Sequence, residues 1–417
     1  MKVLYITGAC LTRNTSANMS HNSYIQGLLE NGVDLEIVMA NDSWGEQDTF
    51  LQRWDSAIYH VYNSISFKER LRKFVHRTVL DKSGSSVTVN NDAECKNEQV
   101  EIKQMSIREI CKRIFNVLLP SDELYPLEHT WLKNAKKFKS NCEYDLVVSN
   151  SSPAASHKLA YELIKNKHIK TKRWVQIWED PWCYDLYGSK NDNIKNEEHH
   201  LLQVASEVYY VSPLTLMYQK KYFADCADKM KCIALPYFNI DSNDNMEIED
   251  FSFGYFGDYY SKTRNLKPFY EAATQLNMKT YIYGDSDLNL ESTDDITVSG
   301  RVTLDKLEKI QNKTNVLVHL CNLKGGQIPG KIYHYSATNK PILFILDGTD
   351  EEQKQLKDYF GKFNRYYFCK NTKESISNAI DLMKKEYKYK EYEKVISFSP
   401  KEVVSMVLEG TEIQNEC

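Results

Sequence analysis

The sequence is poor in the features that place a chain quickly. Its ten cysteines are scattered singly, Cys226 and Cys232 being the nearest pair, and no C-x-x-C occurs. That spacing speaks against a zinc finger and against a disulfide framework, and free thiols fit a reducing cytoplasm. No apolar run approaches the roughly 20 residues that a spanning helix needs. No basic n-region, apolar h-region and cleavage site precede the strand-like opening MKVLYITG, so a secretory signal is not expected. A basic field is missing too: the net charge is −4, which argues against nucleic acid as a partner. What remains is an ordinary soluble balance, 42% hydrophobic and 26% charged over 417 residues, enough for two or three domains with real cores.

Two segments open like doubly wound α/β domains. KVLYITGAC is a buried-strand run ending in Gly8, followed by a polar loop, a helix-like SYIQGLLENG and the strand VDLEIVMA, with Gly32 at the helix stop. FSFGYFGDYYSKTRNLKPFYEAATQLNMKTYIYG repeats strand, loop, helix and strand. Two such openings predict an α/β protein with two mainly parallel sheets. The Asn/Asp-rich stretch 239–250 reads as an exposed linker between residues 1–238 and 251–396. FSPKEVVSMVLEG, within 397–417, predicts a last helix with Pro400 in its first turn and Gly410 at its end.

An insertion at about 60–125 interrupts the first domain. Residues 83–101 carry few apolar residues and read as a mobile loop. They are flanked by basic amphipathic segments, 67–82 and 107–119. Two readings stay open for these: helices packed on the sheet with solvated basic faces, or a contact with an anionic membrane surface.

In open α/β sheets ligands bind beyond the carboxyl ends of the strands, where connections diverge. A diphosphate needs glycines for close backbone approach and cations to offset its charge. The second domain offers both. Gly257 ends one strand and is followed by Lys262 and Arg264; Gly284 ends another. The strand NVLVHL leads into Gly325-Gly326 and a predicted helix from Pro329 to about Thr338. Lys331 in its first turn opposes the helix dipole, which makes sense beside a bound anion, and His334 shares its face. The plainer alternative is a surface lysine and a solvated histidine.

QIPGKIYHYSATNKPIL resembles the donor-binding segment of retaining glycosyltransferases of family four. GDYYSKTRNLKPFYEA resembles that family's Gly-rich loop, and GRVTLDKLEKIQNKTNVLVHL the turn, helix and strand leading to the donor loop. NSSPAASHKLAYELIK followed by WVQIWEDPW resembles the first domain of its capsule, O-antigen and colanic-acid branches. The resemblance implies a GT-B fold, two Rossmann-like domains facing a cleft, with the tail helix returning to the first. It implies a hexosyltransferase-like enzyme that retains anomeric configuration and uses neither metal nor cofactor, the nucleotide sugar being a co-substrate. It places Gly257, Lys262, Arg264, Gly284, Gly326, Gln327, Ile328, Pro329, Gly330, Lys331 and His334 at the donor. His334 stands where the family usually has the Glu that holds the ribose, and Gly326 where it has an earlier Glu.

The first domain is then the acceptor domain. Its strand ends present Gly8, Ser151 and the pair Glu179-Asp180. A carboxylate there can orient or deprotonate an acceptor hydroxyl, and equally can cap a helix or bridge the cleft. Asp285-Ser286-Asp287 spells a D-x-D but reads as a turn; His157 reads as structural, and His199-His200 as a solvated helix end. The expected partners are a nucleoside-diphosphate sugar and a carbohydrate or polyprenyl-linked acceptor of a bacterial surface polysaccharide. The expected location is the cytoplasm, with peripheral contact at the inner face of the plasma membrane. A sugar-nucleotide epimerase and a non-catalytic GT-B binding subunit are the competing readings.

Overall fold

The computed structural model describes residues 1–13, 15–41, 54–65, 124–186, 191–238, 251–324 and 326–412. The linker 239–250, the loop 83–101 and both basic segments lie outside the described residues.

The first sheet is built from β1 (Lys2–Ile6), β2 (Asp34–Asn41), β3 (Ala57–Asn63), β5 (Leu146–Asn150), β7 (Trp174–Trp178), β8 (Glu207–Tyr210) and β9 (Met230–Cys232). β4 (Glu143–Tyr144) and β6 (Lys170–Thr171) pair separately. The order is β3-β2-β1-β5-β7-β8-β9, and every pairing is parallel. The second sheet uses β10 (Ser252–Phe256), β11 (Lys279–Tyr283), β12 (Ile296–Ser299), β13 (Val316–Leu320), β14 (Ile342–Leu346) and β15 (Tyr366–Lys370). Its order, β12-β11-β10-β13-β14-β15, is also wholly parallel. Helices cover both faces of such sheets, so the central strands read as continuous apolar runs; LVVSN, WVQIW and ILFIL are buried at every position.

Strand order reverses between β1 and β5 in the first sheet and between β10 and β13 in the second. These are the switch points where loops part and leave a crevice. One buried cluster runs from Val3, Tyr24 and Val175 to Phe256, Tyr333 and Phe344, so apolar packing joins the two sheets. The helix Pro400–Glu409 closes the chain against the first domain. Ser399 caps it, Pro400 occupies its first turn, and Gly410 ends it at φ 72°. It seats on the helix Ser16–Glu30 at Gly27, where a Cβ would lie 2.1 Å from the Pro400 carbonyl oxygen. Burial of Val403, Val404 and Val407 there contributes about 1.5–3 kcal/mol each.

Two helices differ from the sequence reading. The first starts at Ser16, capped by Thr15, well before SYIQGLLENG. Its early turns bury Asn18, Ser20, His21, Asn22 and Ser23, which satisfy themselves with hydrogen bonds and so show no apolar period. The helix expected from Pro329 to Thr338 spans only Lys331–Tyr335. Its end tightens to i→i−3 bonds at Ala337 and Thr338. Arg365 then terminates it, donating to the carbonyls of Tyr335, Ser336 and Thr338. No helix among the described residues is long and apolar enough to cross a membrane.

Candidate active site

The cleft floor on the second domain is made by strand ends in contact. The Gly257 amide donates to the Tyr283 carbonyl at 2.8 Å. A Cβ on Gly284 would lie 1.9 Å from the Gly257 oxygen, so only glycine fits there. At Gly257 a Cβ would find ordinary room beside Tyr255 and Lys331. Packing does not demand that glycine, and its bareness leaves backbone open to the cleft.

Cations gather around it. Lys331 donates to the Phe256 carbonyl, and Tyr335 donates to the same oxygen at 3.3 Å. Protein around the Lys331 amine pushes it down to about 8, opposed by Asp258 and assisted by Arg264 and Arg301. Arg264 approaches the Tyr255 hydroxyl and faces His319. Arg301 donates to Asp258 and lies 3.0 Å from Asp285. Lys262 is set apart: it is exposed on the rim, where its charge acts on Asp287. Asp287 accepts from the Ser261 amide and hydroxyl at 2.7 Å, so both acids of Asp285-Ser286-Asp287 are engaged within the loops.

Around the ends of β10 and β13, buried polar atoms have no partner among the described residues: Thr263 Oγ1, Arg264 Nε, His319 Nε2 and Asn322 Oδ1. The Leu323 amide donates to the Thr263 carbonyl at 2.7 Å, which brings the loops after β10 and β13 together. Burial of an unpaired polar atom costs about 1–3 kcal/mol, so such a group is normally met by water or a ligand.

The loop after β13 crosses to the first domain. Gly326 sits at φ 69°, and a Cβ there would lie 2.4 Å from the Tyr218 ring. Thr215 donates to its carbonyl at 3.1 Å. Gln327 accepts from the Leu186 amide at 2.8 Å and donates to Asp180 at 2.5 Å. Ile328 packs on the shared apolar cluster, and Gly330 lets Leu235 come close. The Pro329 carbonyl accepts from the Ile332 amide at 3.3 Å. His334 is half-buried; its Nδ1 accepts from the Phe238 amide at 3.5 Å, which leaves the proton on Nε2. Burial, then Lys331, lowers its pKa to about 4, so the ring is neutral.

Across the cleft, Gly8 abuts Pro153, and its amide donates to Ser156 Oγ at 3.0 Å. Ser151 Oγ accepts from the Glu179 amide at 3.3 Å. The Glu179 carboxyl has a buried, unpartnered Oε1, and burial followed by the Asp180 charge raises its pKa well above the usual range. Asp180 is hemmed in by protein yet still meets cleft solvent; burial raises its pKa, and Gln327 holds it back. Beneath them a buried relay runs from Asn150 through Tyr5 and His21 to the Ser152 carbonyl. Glu198 accepts from the Trp182 and Cys183 amides and so fixes the turn after Asp180. His157 is structural, bonded to Ser149 and lying on Trp178.

Sequence reasoning missed Arg301, His21 and Glu198. Gly300-Arg301 repeats the strand-end glycine pattern of Gly257 and Gly284 and was a usable signal. His21 and Glu198 carried none, being polar residues in amphipathic helices.

No family model and no curated protein matches the chain. Solved structures do. The chain is similar to sucrose-phosphate synthase from Thermosynechococcus elongatus, at 11% identity and TM-score 0.57, over 97% of this chain and 94% of that one. It is similar to HepE from Anabaena, solved in complex with UDP, at 11% identity and TM-score 0.51, over 99% and 96%. A glycosyltransferase from Rickettsia africae matches at 11% identity and TM-score 0.51, over 99% and 94%. The fold is GT-B. The cleft between the switch points of its two sheets is therefore the place where a site is built.

Proposed function

We propose that the chain is a glycosyltransferase that moves a sugar from a nucleoside-diphosphate sugar to a carbohydrate acceptor. One observation carries the reading. Lys331 lies beside Gly257 within reach of the Arg264 and Arg301 charges, buried polar atoms at the same strand ends lack partners among the described residues, and the loop leading into Lys331 reaches Asp180 of the other domain through Gln327. In this reading the bond from the anomeric carbon to the diphosphate oxygen breaks, a bond to the acceptor hydroxyl oxygen forms, and the proton of that hydroxyl passes to the departing diphosphate. Lys331 and Arg264 offset the charge that grows on the leaving diphosphate. Asp180 orients the acceptor hydroxyl from the first domain, with Glu179 behind it. His334 presents Nε2–H to a ribose hydroxyl. Lys262 attracts the donor from the rim.

The finer reading is retention of configuration, and a lipid-linked acceptor of a bacterial surface polysaccharide met at the inner membrane face. Its support is the family resemblance and the segment 67–82, where Lys68, Arg70, Arg72, Lys73, Arg77 and Lys82 stand against Glu69 and Asp81. Anionic lipid attracts such segments by about 1 kcal/mol per cation.

The test is incubation with a panel of nucleotide sugars and sugar acceptors, starting from UDP donors because HepE binds UDP. Acceptor-dependent release of nucleoside diphosphate supports the transferase. Conversion to an epimeric nucleotide sugar, with or without hydrolysis to the free sugar, in the absence of acceptor supports an epimerase, and binding without any conversion supports a non-catalytic subunit.

A further inference from the structure

Apart from the cleft groups, three ligand-type side chains converge from two elements. His199 lies in the helix Asp192–Val204, and Asp225 and Cys226 lie in the 3-10 turn Ala224–Lys229. His199 Nε2 is 2.9 and 2.8 Å from the two carboxylate oxygens of Asp225. One ligand atom from each of His199, Asp225 and Cys226 lies within 4.8 Å of the other two. Gln203, one helical turn beyond His199, adds an amide 3.1 Å from Asp225. The frame is tied independently of these groups. Lys229 donates to the carbonyls of Gln203 and Ala205 at 2.8 and 2.9 Å, and the His199 ring stacks on Phe223.

We propose that His199, Asp225 and Cys226 form a binding site for a divalent transition cation of the zinc type. An imidazole nitrogen, a carboxylate oxygen and a thiolate sulfur make the mixed set that zinc takes and that magnesium and calcium do not. Binding displaces the thiol proton to solvent and replaces the imidazole–carboxylate hydrogen bond with two metal bonds. Water fills the fourth position, since the His199 and Asp225 side chains are 36% and 54% exposed. The consequence reaches the cleft through Glu198, which adjoins His199 and holds the Trp182 and Cys183 amides after Asp180. A cation that pins this helix to the turn steadies that loop. The site stands whether or not the transferase reading does.

The test titrates the metal-free full chain with Zn2+ against a chromophoric chelator, then records the absorption of the Co2+-loaded protein. The expected result is one tight equivalent per chain, weakened at least about tenfold by His199→Gln and by Cys226→Ser, the lower bound for loss of even an outer-shell partner. A thiolate-to-cobalt band should appear and vanish in Cys226→Ser. Cys142→Ser and His200→Gln should bind as the parent does, and Mg2+ should not compete. His199→Gln alters a half-exposed side chain and keeps the test decisive if Cys226→Ser, at a buried position, fails to fold. Zinc held no more tightly by the parent than by His199→Gln, or a cobalt spectrum without the thiolate band, overturns the proposal and leaves an ordinary imidazole–carboxylate pair.

Discussion

Gln327 reaches across the cleft to Asp180: its amide donates to the carboxylate at 2.5 Å while its carbonyl accepts from the Leu186 amide at 2.8 Å. The loop that leads into Lys331 therefore sets the carboxylate of the other domain. A hydrogen bond to a charged group contributes about 1.5–3 kcal/mol. Gln327→Ala should lower turnover about 10- to 100-fold. The KM for the donor should move little, because the lost bond holds Asp180 and not the donor. Steady-state kinetics with the donor found in the panel check the split, and a loss carried wholly by the donor KM contradicts it.

The three cations near Gly257 should not be equivalent to Lys262. Arg264→Ala and Lys331→Ala each remove a charge set beside the floor of the cleft and should cost about 10²–10³ in turnover. Lys262→Ala removes a solvent-screened charge beside Asp287 and should cost about tenfold or less. The same assay separates them.

Lys331 also predicts a pH dependence. As a residue Lys331 is exposed, but its amine sits on the Phe256 carbonyl with protein packed around it and is pushed down to about 8, so it is charged at neutral pH and loses that charge as pH rises through 8. UDP affinity, followed by calorimetry, should weaken above about pH 8. In Lys331→Met that inflection should be absent. An unchanged inflection in the variant would place the titrating group elsewhere.

Arg365 should matter for stability far from any substrate. It is 1% exposed and donates to the carbonyls of Tyr335, Ser336, Thr338, Lys340 and Glu393. Arg365→Met removes a buried donor from all five carbonyls; Tyr335 and Ser336 keep bonds from the Thr338 and Val395 amides, while the loss at Thr338 and Glu393 costs about 1–3 kcal/mol for each group that water cannot reach. Urea unfolding should show a loss of about 3 kcal/mol or more.

Acid should destabilise the fold through its buried histidines, His21, His157 and His319, and through the half-buried His334. Burial lowers His21 and His334 to about 4 and His157 and His319 to about 3, all from 6.5. Their folded pKa values lie below the unfolded one. The stability they confer is whole above pH 6.5 and is lost as pH falls toward 3–4. His157→Gln removes one such proton, so its stability should fall less steeply between pH 6 and 4.5, by about 1.4 kcal/mol per pH unit.

The fold was legible where burial is one-dimensional. Continuous apolar runs such as ILFIL and WVQIW announce strands covered on both faces, and Gly32 and Gly410 announce helix ends. The start of the first helix was not legible, because Asn18, Asn22 and Ser23 bury polar side chains against backbone carbonyls, which no apolar period reveals. The length of the helix at Lys331 was hidden as well, since the arginine that ends it lies some thirty residues downstream.

The sequence by itself determined two parallel α/β sheets, their strand ends, and a run of glycines and cations at those ends. Local spacing suffices for this, because strands, caps and turns depend on near neighbours. Only the tertiary structure decided which of these groups lie together. It set Lys262 aside beside Asp287, brought Arg301 into the cluster through Asp258, turned Gln327 to Asp180, and joined His199 to Asp225. Each of these pairs is separated by more than twenty residues. Such contacts are chosen by how the two sheets and their helices pack, which the order of residues along the chain does not display.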